Sequence, residues 1–123
     1  MEIKQFILNI IKRQEINDSV NLLLKKLNIP NLNNEATFIF SAAKSKPLFF
    51  DNEDFYRLLS FDEIINANDE FGLSLTSLNL LPLIDCGEND FICYNYKTNN
   101  WCKFNVTDEV RFSEKASILE YFN

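Results

Sequence analysis

Two short aromatic-rich segments joined by four polar residues limit the possible folds more than any other feature of the chain. The segments "FICYNY" (residues 91–96) and "WCKFNV" (residues 101–106) flank "KTNN". Asparagine tolerates a positive φ and is common in turns. Residues 97–100 are therefore predicted to be the turn of a β-hairpin in which Tyr96 lies opposite Trp101 and Cys93 lies opposite Phe104.

The predicted hairpin has two faces of different chemistry, because side chains alternate along a strand. The face that is expected in the core carries Phe91, Cys93, Cys102, Phe104 and Val106. The other face carries Tyr94, Tyr96, Trp101 and Lys103. Tyrosine and tryptophan are enriched at protein interfaces, so Tyr94, Tyr96 and Trp101 are candidates for binding a partner. The alternative, slightly favoured for Tyr96 and Trp101, is cross-strand packing that only stiffens the sheet.

The three cysteines are interpreted as small buried apolar residues. They form no C-x-x-C pair, and an odd count in a chain without an export signal indicates reduced thiols. In the predicted register Cys93 and Cys102 are diagonal neighbours, so no disulfide is expected between them.

The rest of the chain alternates between helical and extended patterns. Helices are predicted over residues 2–14 and 19–28, and another is predicted from a capping box at Ser60 and Glu63 to Gly72. The segments "ATFIF", "PLFF", "DFYRLL" and "LNLLPLIDC" are predicted strands, the last near a sheet edge because Pro82 cannot donate to a ladder. Ser113 is predicted to cap a C-terminal helix.

Length and composition indicate one domain over residues 1–123. Hydrophobic residues make up 46 % of the chain, which suffices for a core. No apolar run approaches the ~20 residues that span a bilayer, and the first residues lack the cleavage site of a secretion signal. The expectation is a cytoplasmic protein that binds no membrane.

The residue types that are missing exclude many enzymes. The chain has no histidine and only two glycines, so histidine-dependent catalysis, histidine-bearing zinc sites and glycine-rich phosphate loops cannot be built. An enzyme would have to use carboxylates or a lone thiol such as Cys86. We therefore expect no catalytic residue, no metal and no cofactor.

Negative charge is concentrated in the middle of the chain. The net charge is −6, but residues 1–46 carry +3, residues 51–90 carry −9 and residues 91–123 carry 0. Phosphate would be repelled by the middle segment, so a nucleic-acid partner is not expected. A basic protein would be attracted, although a solvated face that keeps the protein in solution is an equal alternative.

Two acidic clusters are candidates for the partner-binding surface. The first is Asp85, Glu88 and Asp90, next to Gly87. A cation site or a catalytic carboxylate pair is the alternative, but the spacing is unspecific. The second cluster lies in "DNED" and comprises Asp51, Glu53 and Asp54. It lacks the ordered spacing of a calcium loop, so a solvated turn is favoured.

The order of these motifs resembles the SUKH superfamily, which includes a fungal cell-wall-synthesis regulator and many bacterial immunity proteins. The resemblance covers residues 54–122 and is carried by "YRLLSFDEIINAN", "LLPLIDCGENDFICYNYKTNNWCKF" and "ILEYF". Asn89 stands where that family usually has glycine.

The resemblance implies an α+β fold: a mostly antiparallel sheet with helices packed on one side, N-terminal helices and a short C-terminal helix. It also implies a non-catalytic cytoplasmic immunity protein that binds and blocks a polymorphic toxin, and the acidic segment fits a basic toxin such as a nuclease. The chain is expected to be a monomer or a weak homodimer. The alternatives are a regulatory or scaffolding module with an endogenous partner and, ranked below both, an enzyme.

Overall fold

The computed structural model describes residues 2–50, 56–72 and 74–122, which form short helices and one sheet. The helices are α1 (Ile3–Arg13), α2 (Ser19–Leu27), α3 (Asn34–Ser41), α4 (Phe61–Ile65) and α5 (Ala67–Phe71). The strands are β1 (Leu48–Phe49), β2 (Arg57–Leu58), β3 (Leu80–Gly87), β4 (Asp90–Asn95), β5 (Asn100–Asn105) and β6 (Val110–Lys115). Two 3₁₀ turns span Thr76–Leu78 and Ile118–Tyr121.

The six strands form an antiparallel sheet in which every strand pairs with its neighbours in sequence, in the order β1-β2-β3-β4-β5-β6. The fold is therefore α+β with N-terminal helices and a short C-terminal 3₁₀ turn, and the predicted fold class is confirmed. Tight turns, which can join antiparallel neighbours, connect β3 to β4, β4 to β5 and β5 to β6, whereas α4, α5 and a 3₁₀ turn lie between β2 and β3.

The N-terminal helices pack on the face of the sheet that carries Tyr94 and Trp101. These two residues are cross-strand partners and so share a face. The ring of Phe40 in α3 stacks on Trp101 with centroids 6.1 Å apart, and the Asn33 N–H donates to the Tyr94 hydroxyl at 3.2 Å. Helix α1 joins this layer through a buried stripe, Ile3, Ile7 and Ile10.

The segment "ATFIF", predicted as a strand, lies within helix α3. Asn33 caps this helix, because its side-chain oxygen accepts a hydrogen bond from the Ala36 N–H at 2.9 Å. Ala36, Ile39 and Phe40 are then spaced to face the core together, and all three are buried. The cap and this packing override the strand preference of threonine, isoleucine and phenylalanine.

The capping box at Ser60 and Glu63 is confirmed. The Ser60 hydroxyl accepts from the Glu63 N–H at 3.2 Å, and the Glu63 carboxylate accepts from the Ser60 N–H at 3.0 Å. The helix that follows is interrupted at Asn66, which separates α4 from α5. Helix α5 ends where predicted, at Gly72, whose φ of 62° suits glycine.

The β4–β5 hairpin forms, but its register differs by two residues from the predicted one. Tyr94 pairs with Trp101, Cys93 pairs with Cys102, and the turn spans residues 96–99. The side-chain oxygen of Asn95 accepts from the N–H groups of residues 97 and 98, at 3.0 and 3.2 Å, and so fixes the start of the turn. A shift of two preserves the alternation, so the predicted grouping by face holds for the strand residues. Tyr96 lies in the turn, and the predicted opposite pairs are wrong.

The second face of the hairpin carries Phe91, Cys93, Cys102 and Phe104, all of which are buried as predicted. Residues 67–79 lie against this face. Phe71 packs on Phe91 with ring centroids 4.7 Å apart, and the Tyr96 hydroxyl donates to the Thr76 carbonyl at 2.7 Å. Both faces of the hairpin are therefore covered, so the helices are not confined to one side of the sheet as predicted.

Two predicted details of the strands and the C-terminus are wrong. Strand β3 lies between β2 and β4 and not at an edge. Within the described chain β2 pairs with β3 only at Ile84 and Asp85, so Pro82 lies beyond that ladder and is tolerated there. Ser113 lies in β6, and the residue that caps the C-terminal turn is Ser117, whose hydroxyl accepts from the Leu119 N–H.

Candidate functional site

The acidic turn, defined here as residues 85–90, connects β3 to β4 and carries three of the predicted partner-binding residues. Glu88 and Asn89 both have positive φ, at 55° and 68°. Positive φ at two central residues is the mark of a type I′ turn, whose twist matches that of the flanking strands. The Asn89 carbonyl also accepts from the Val106 N–H at 3.0 Å. The hydrogen bond to Val106 links the turn to the end of β5.

The three carboxylates of the acidic turn differ in how they are held. Asp85 accepts from the Gly87 N–H at 2.9 Å and lies 3.3 Å from Arg57 Nη2. Asp90 accepts from the Asn105 side-chain amide at 2.8 Å. The Glu88 side chain is exposed, and its carboxylate makes no hydrogen bond or ion pair with the described residues. Glu88 is therefore the carboxylate of the turn most available to a partner.

Arg57 links the acidic turn to helix α4. Its guanidinium lies 2.7 Å from Glu63 Oε2 as well as beside Asp85. Burial alone would raise the pKa of Glu63, but the hydrogen bond from the Ser60 N–H and the contacts with Arg57 outweigh it and hold that pKa below its ordinary value. Arg57 thus pairs with the carboxylates of Glu63 and Asp85, whereas Glu88 has no ion-pair partner among the described residues.

An open cleft of about 760 Å³ lies between the acidic turn and the first two strands. It is lined by Phe49, Tyr56, Arg57 and turn residues 85–88. Phe49 is 69 % exposed, and its neighbour Leu48 is also exposed on β1 at the edge of the sheet. An aromatic ring beside carboxylates is a favourable environment for a lysine or arginine side chain, through ring and charge together.

Phe49 was not singled out in the sequence, although it is the most exposed large hydrophobic residue in the described chain. Alternation along a strand does indicate that one of Phe49 and Phe50 faces outward. The neighbouring residues do not indicate which of the two faces outward. In the structure Phe50 is buried against Phe6, with ring centroids 5.4 Å apart.

The aromatic residues predicted to face a partner do not all do so. Tyr94 and Trp101 are 0 % exposed, so the prediction that they point outward is wrong. Trp101 Nε1 donates to Glu35 at 2.9 Å and the ring stacks on Phe40, while the Tyr94 hydroxyl donates to Asn99 at 2.8 Å. Tyr96 is half-buried and its hydroxyl is engaged. Tyr94 and Trp101 are therefore removed from the candidate surface.

Glu35 is a key residue that the sequence did not reveal. Its carboxylate accepts hydrogen bonds from Trp101 Nε1, the Ser117 hydroxyl and the Ile118 N–H, at 2.9, 2.8 and 3.0 Å. These partners lie 66 to 83 residues away in the chain. No local pattern could indicate them.

The cysteines show no sign of activation. Burial raises the pKa of the Cys86 thiol to about 11, despite the opposing effect of Lys103, and raises the pKa of Cys102 to about 11. The pKa of the fully buried Cys93 is also raised. Nucleophilic chemistry requires the thiolate, so these environments disfavour each thiol as a nucleophile.

Other candidates can be placed only in part. In the ranges 2–50, 56–72 and 74–122, no group of three or more acidic or thiol side chains is arranged to hold a metal ion. Asp51, Glu53 and Asp54, the second predicted acidic cluster, lie outside the described residues. None of the helices in the described part of the chain is long and apolar enough to cross a bilayer.

Fold and site together define an α+β protein with an open antiparallel sheet and an acidic turn beside an exposed aromatic ring. Comparison of the chain with family models, with curated proteins and with solved structures finds no match. The resemblance to the SUKH superfamily therefore stays a prediction.

Proposed function

We propose that this chain is a cytoplasmic immunity protein that binds and neutralises a cognate toxin domain, with no catalytic activity of its own. One observation carries the proposal: the exposed Glu88 carboxylate, which makes no hydrogen bond or ion pair with the described residues, lines the same cleft as the exposed ring of Phe49. An exposed carboxylate next to an exposed aromatic ring is an arrangement expected of a protein-binding surface, since it combines charge attraction with burial of an aromatic side chain.

The charge of the chain favours a basic partner. Residues 51–90 carry −9 and contain one basic residue, Arg57, which is occupied by Glu63 and Asp85. A toxin that acts on nucleic acid needs a positive surface to hold phosphates. An acidic surface can occupy that positive surface and exclude the substrate, so a basic, nuclease-type toxin is the proposed target.

The proposed contact places a lysine or arginine of the toxin in the cleft between Phe49 and the acidic turn. The aliphatic part of that side chain would lie on the Phe49 ring, and its charged group would face Glu88. Asp85 and Asp90 would contribute to the local field while Arg57 and Asn105 keep them in position.

Protection of cells tests the proposal directly. A candidate toxin domain, sought among the genes next to this one, is expressed with the wild-type protein, with Glu88→Lys, with Phe49→Ala, or with Glu114→Lys as a matched control. Glu114 is exposed on β6, at the opposite edge of the sheet. We expect wild type and Glu114→Lys to protect, and Glu88→Lys and Phe49→Ala to protect poorly.

Cells that die despite the wild-type protein would contradict the immunity function. Purification of the tagged protein from its native cell then identifies the partner. Recovery of an endogenous protein in place of a toxin would support the alternative, a regulatory or scaffolding module.

A further inference from the structure

A second concavity lies where helices α1 and α3 end, and we call it the helix-end cleft. It has a volume of about 440 Å³ and is lined in part by Phe6, Ile10, Phe38 and Ile16. Ile16 is 62 % exposed at its mouth. The cleft shares no lining residue with the cleft at the acidic turn. Its volume lies within the ~300–1,000 Å³ range of small-molecule sites.

The charged residues of the helix-end cleft are mainly basic. Arg13 and Lys44 line it, both are exposed, and neither side chain makes a hydrogen bond or ion pair with the residues that the structure describes. Glu15 is the one carboxylate among the lining residues in the described chain, so the local balance is +1. Basic residues near helix C-termini also complement the helix dipoles, so the two cations alone would not define a ligand site.

Ser41 supplies an independent observation. It lines the helix-end cleft, is 93 % buried and has a hydroxyl oxygen without a hydrogen-bond partner in the described part of the chain. One turn earlier in α3, the Thr37 hydroxyl donates to the Asn33 carbonyl at 2.8 Å, as such residues often do in helices. Ser41 does not make the equivalent bond. A buried polar group without a partner is costly, and a ligand with an acceptor atom would satisfy it.

We propose that the helix-end cleft binds a small amphiphilic anion. The apolar body of the ligand packs on Phe6, Ile10 and Phe38. The anionic head lies between Arg13 and Lys44 and accepts a hydrogen bond from the Ser41 hydroxyl. This site shares no lining residue with the cleft at the acidic turn, so the proposal does not rest on toxin binding.

The first experiment compares three probes of equal chain length by titration calorimetry and by NMR shift mapping on the full chain. The probes are octanoate, octanol and octylammonium. We expect octanoate to bind at residues lining the helix-end cleft, and the neutral and cationic probes to bind at least several-fold more weakly. Equal binding of all three probes, or shifts confined to another surface, would overturn the proposal.

Charge variants give the second test. Arg13→Gln and Lys44→Gln should each weaken octanoate binding by about two- to fivefold, the usual scale for one exposed charge contact. Glu15→Gln should tighten it by a similar factor. Lys12→Gln, a matched change on an exposed α1 residue outside the cleft, should leave affinity unchanged. A loss with Lys12→Gln equal to that with Arg13→Gln would mean that only net charge matters, and would contradict the site.

Ser41→Ala separates a binding role from a structural one. Removing an unpaired buried hydroxyl should not lower the Tm of the free protein. The same variant should weaken octanoate binding. A lowered Tm with unchanged octanoate affinity would show that the hydroxyl serves the fold and not the ligand.

Discussion

The side chains with the clearest structural roles in this protein form hydrogen bonds, some of which join parts of the chain that are far apart in sequence. Ser60 and Glu63 could be found in the sequence, because both halves of a capping box lie within four residues. Glu35 could not be found, because its three donors come from β5 and the C-terminal turn. Trp101 was wrongly predicted to be exposed for the same reason: it is buried against helix α3, which precedes it by some sixty residues.

Replacing Glu35 should destabilise the protein more than replacing an exposed acid. Glu35→Ala leaves Trp101 Nε1 and the Ile118 N–H without their acceptor, so we expect a loss of about 2–3 kcal/mol in the free energy of unfolding. Urea denaturation followed by Trp101 fluorescence measures it, with Glu70→Ala on the exposed side of α5 as control. Equal stability of the two variants would contradict the role assigned to Glu35.

The Glu63 carboxylate of the capping box should make the protein less stable as the pH falls. The folded pKa of Glu63 lies below its ordinary value, so the carboxylate contributes stability above the unfolded pKa and loses it as the pH falls through the folded pKa. Wild-type stability should therefore decline between pH 7 and about pH 3 more steeply than that of Glu63→Gln. At pH 7 the variant should be less stable by up to about 1 kcal/mol, because it loses the ion pair with Arg57. Parallel curves for the two proteins in denaturation series across this pH range would rule out the assignment.

At the scale of elements, the β4–β5 hairpin was predictable but its register was not. "KTNN" predicts a turn at residues 97–100, and the structure has it at residues 96–99. Which residue begins the turn depends on Asn95, whose side chain bonds to the N–H groups of residues 97 and 98. Helix α3 was missed for a related reason. Its cap at Asn33 stands among several asparagines, and its apolar residues suit either a strand or a helix.

The core position of the hairpin predicts the order in which thiols react. Cys93 and Cys102 are 0 % and 1 % exposed, whereas Cys86 is half-buried. Under native conditions Cys86 should be alkylated before the other two thiols. Its alkylation should be about a hundredfold slower than that of a free cysteine, because its pKa is raised to about 11. Cys93 and Cys102 should react only on unfolding. Mass spectrometry after timed iodoacetamide treatment measures these rates, and early modification of Cys93 would show that the hairpin face is open.

The charge of the whole molecule is separated along the sequence. The helical N-terminal part is basic, and the middle segment that ends in the acidic turn is strongly acidic. This separation could be calculated from the sequence alone. The sequence does not indicate which carboxylates have a hydrogen-bond or ion-pair partner. Arg57 pairs with Glu63 and Asp85, and Asn105 donates to Asp90. The Glu88 carboxylate has no partner among the described residues.

The central claim is that Glu88 and Phe49 form the contact with a basic toxin. The most direct test is the Kd of the purified toxin domain for wild type, Glu88→Lys and Glu114→Lys, measured by calorimetry at 50 mM and 300 mM salt. We predict that Glu88→Lys weakens binding at least tenfold at low salt, with less dependence on salt than wild type, while Glu114→Lys changes it little. Equal affinities for the two variants, or wild-type binding that salt does not weaken, would contradict the claim.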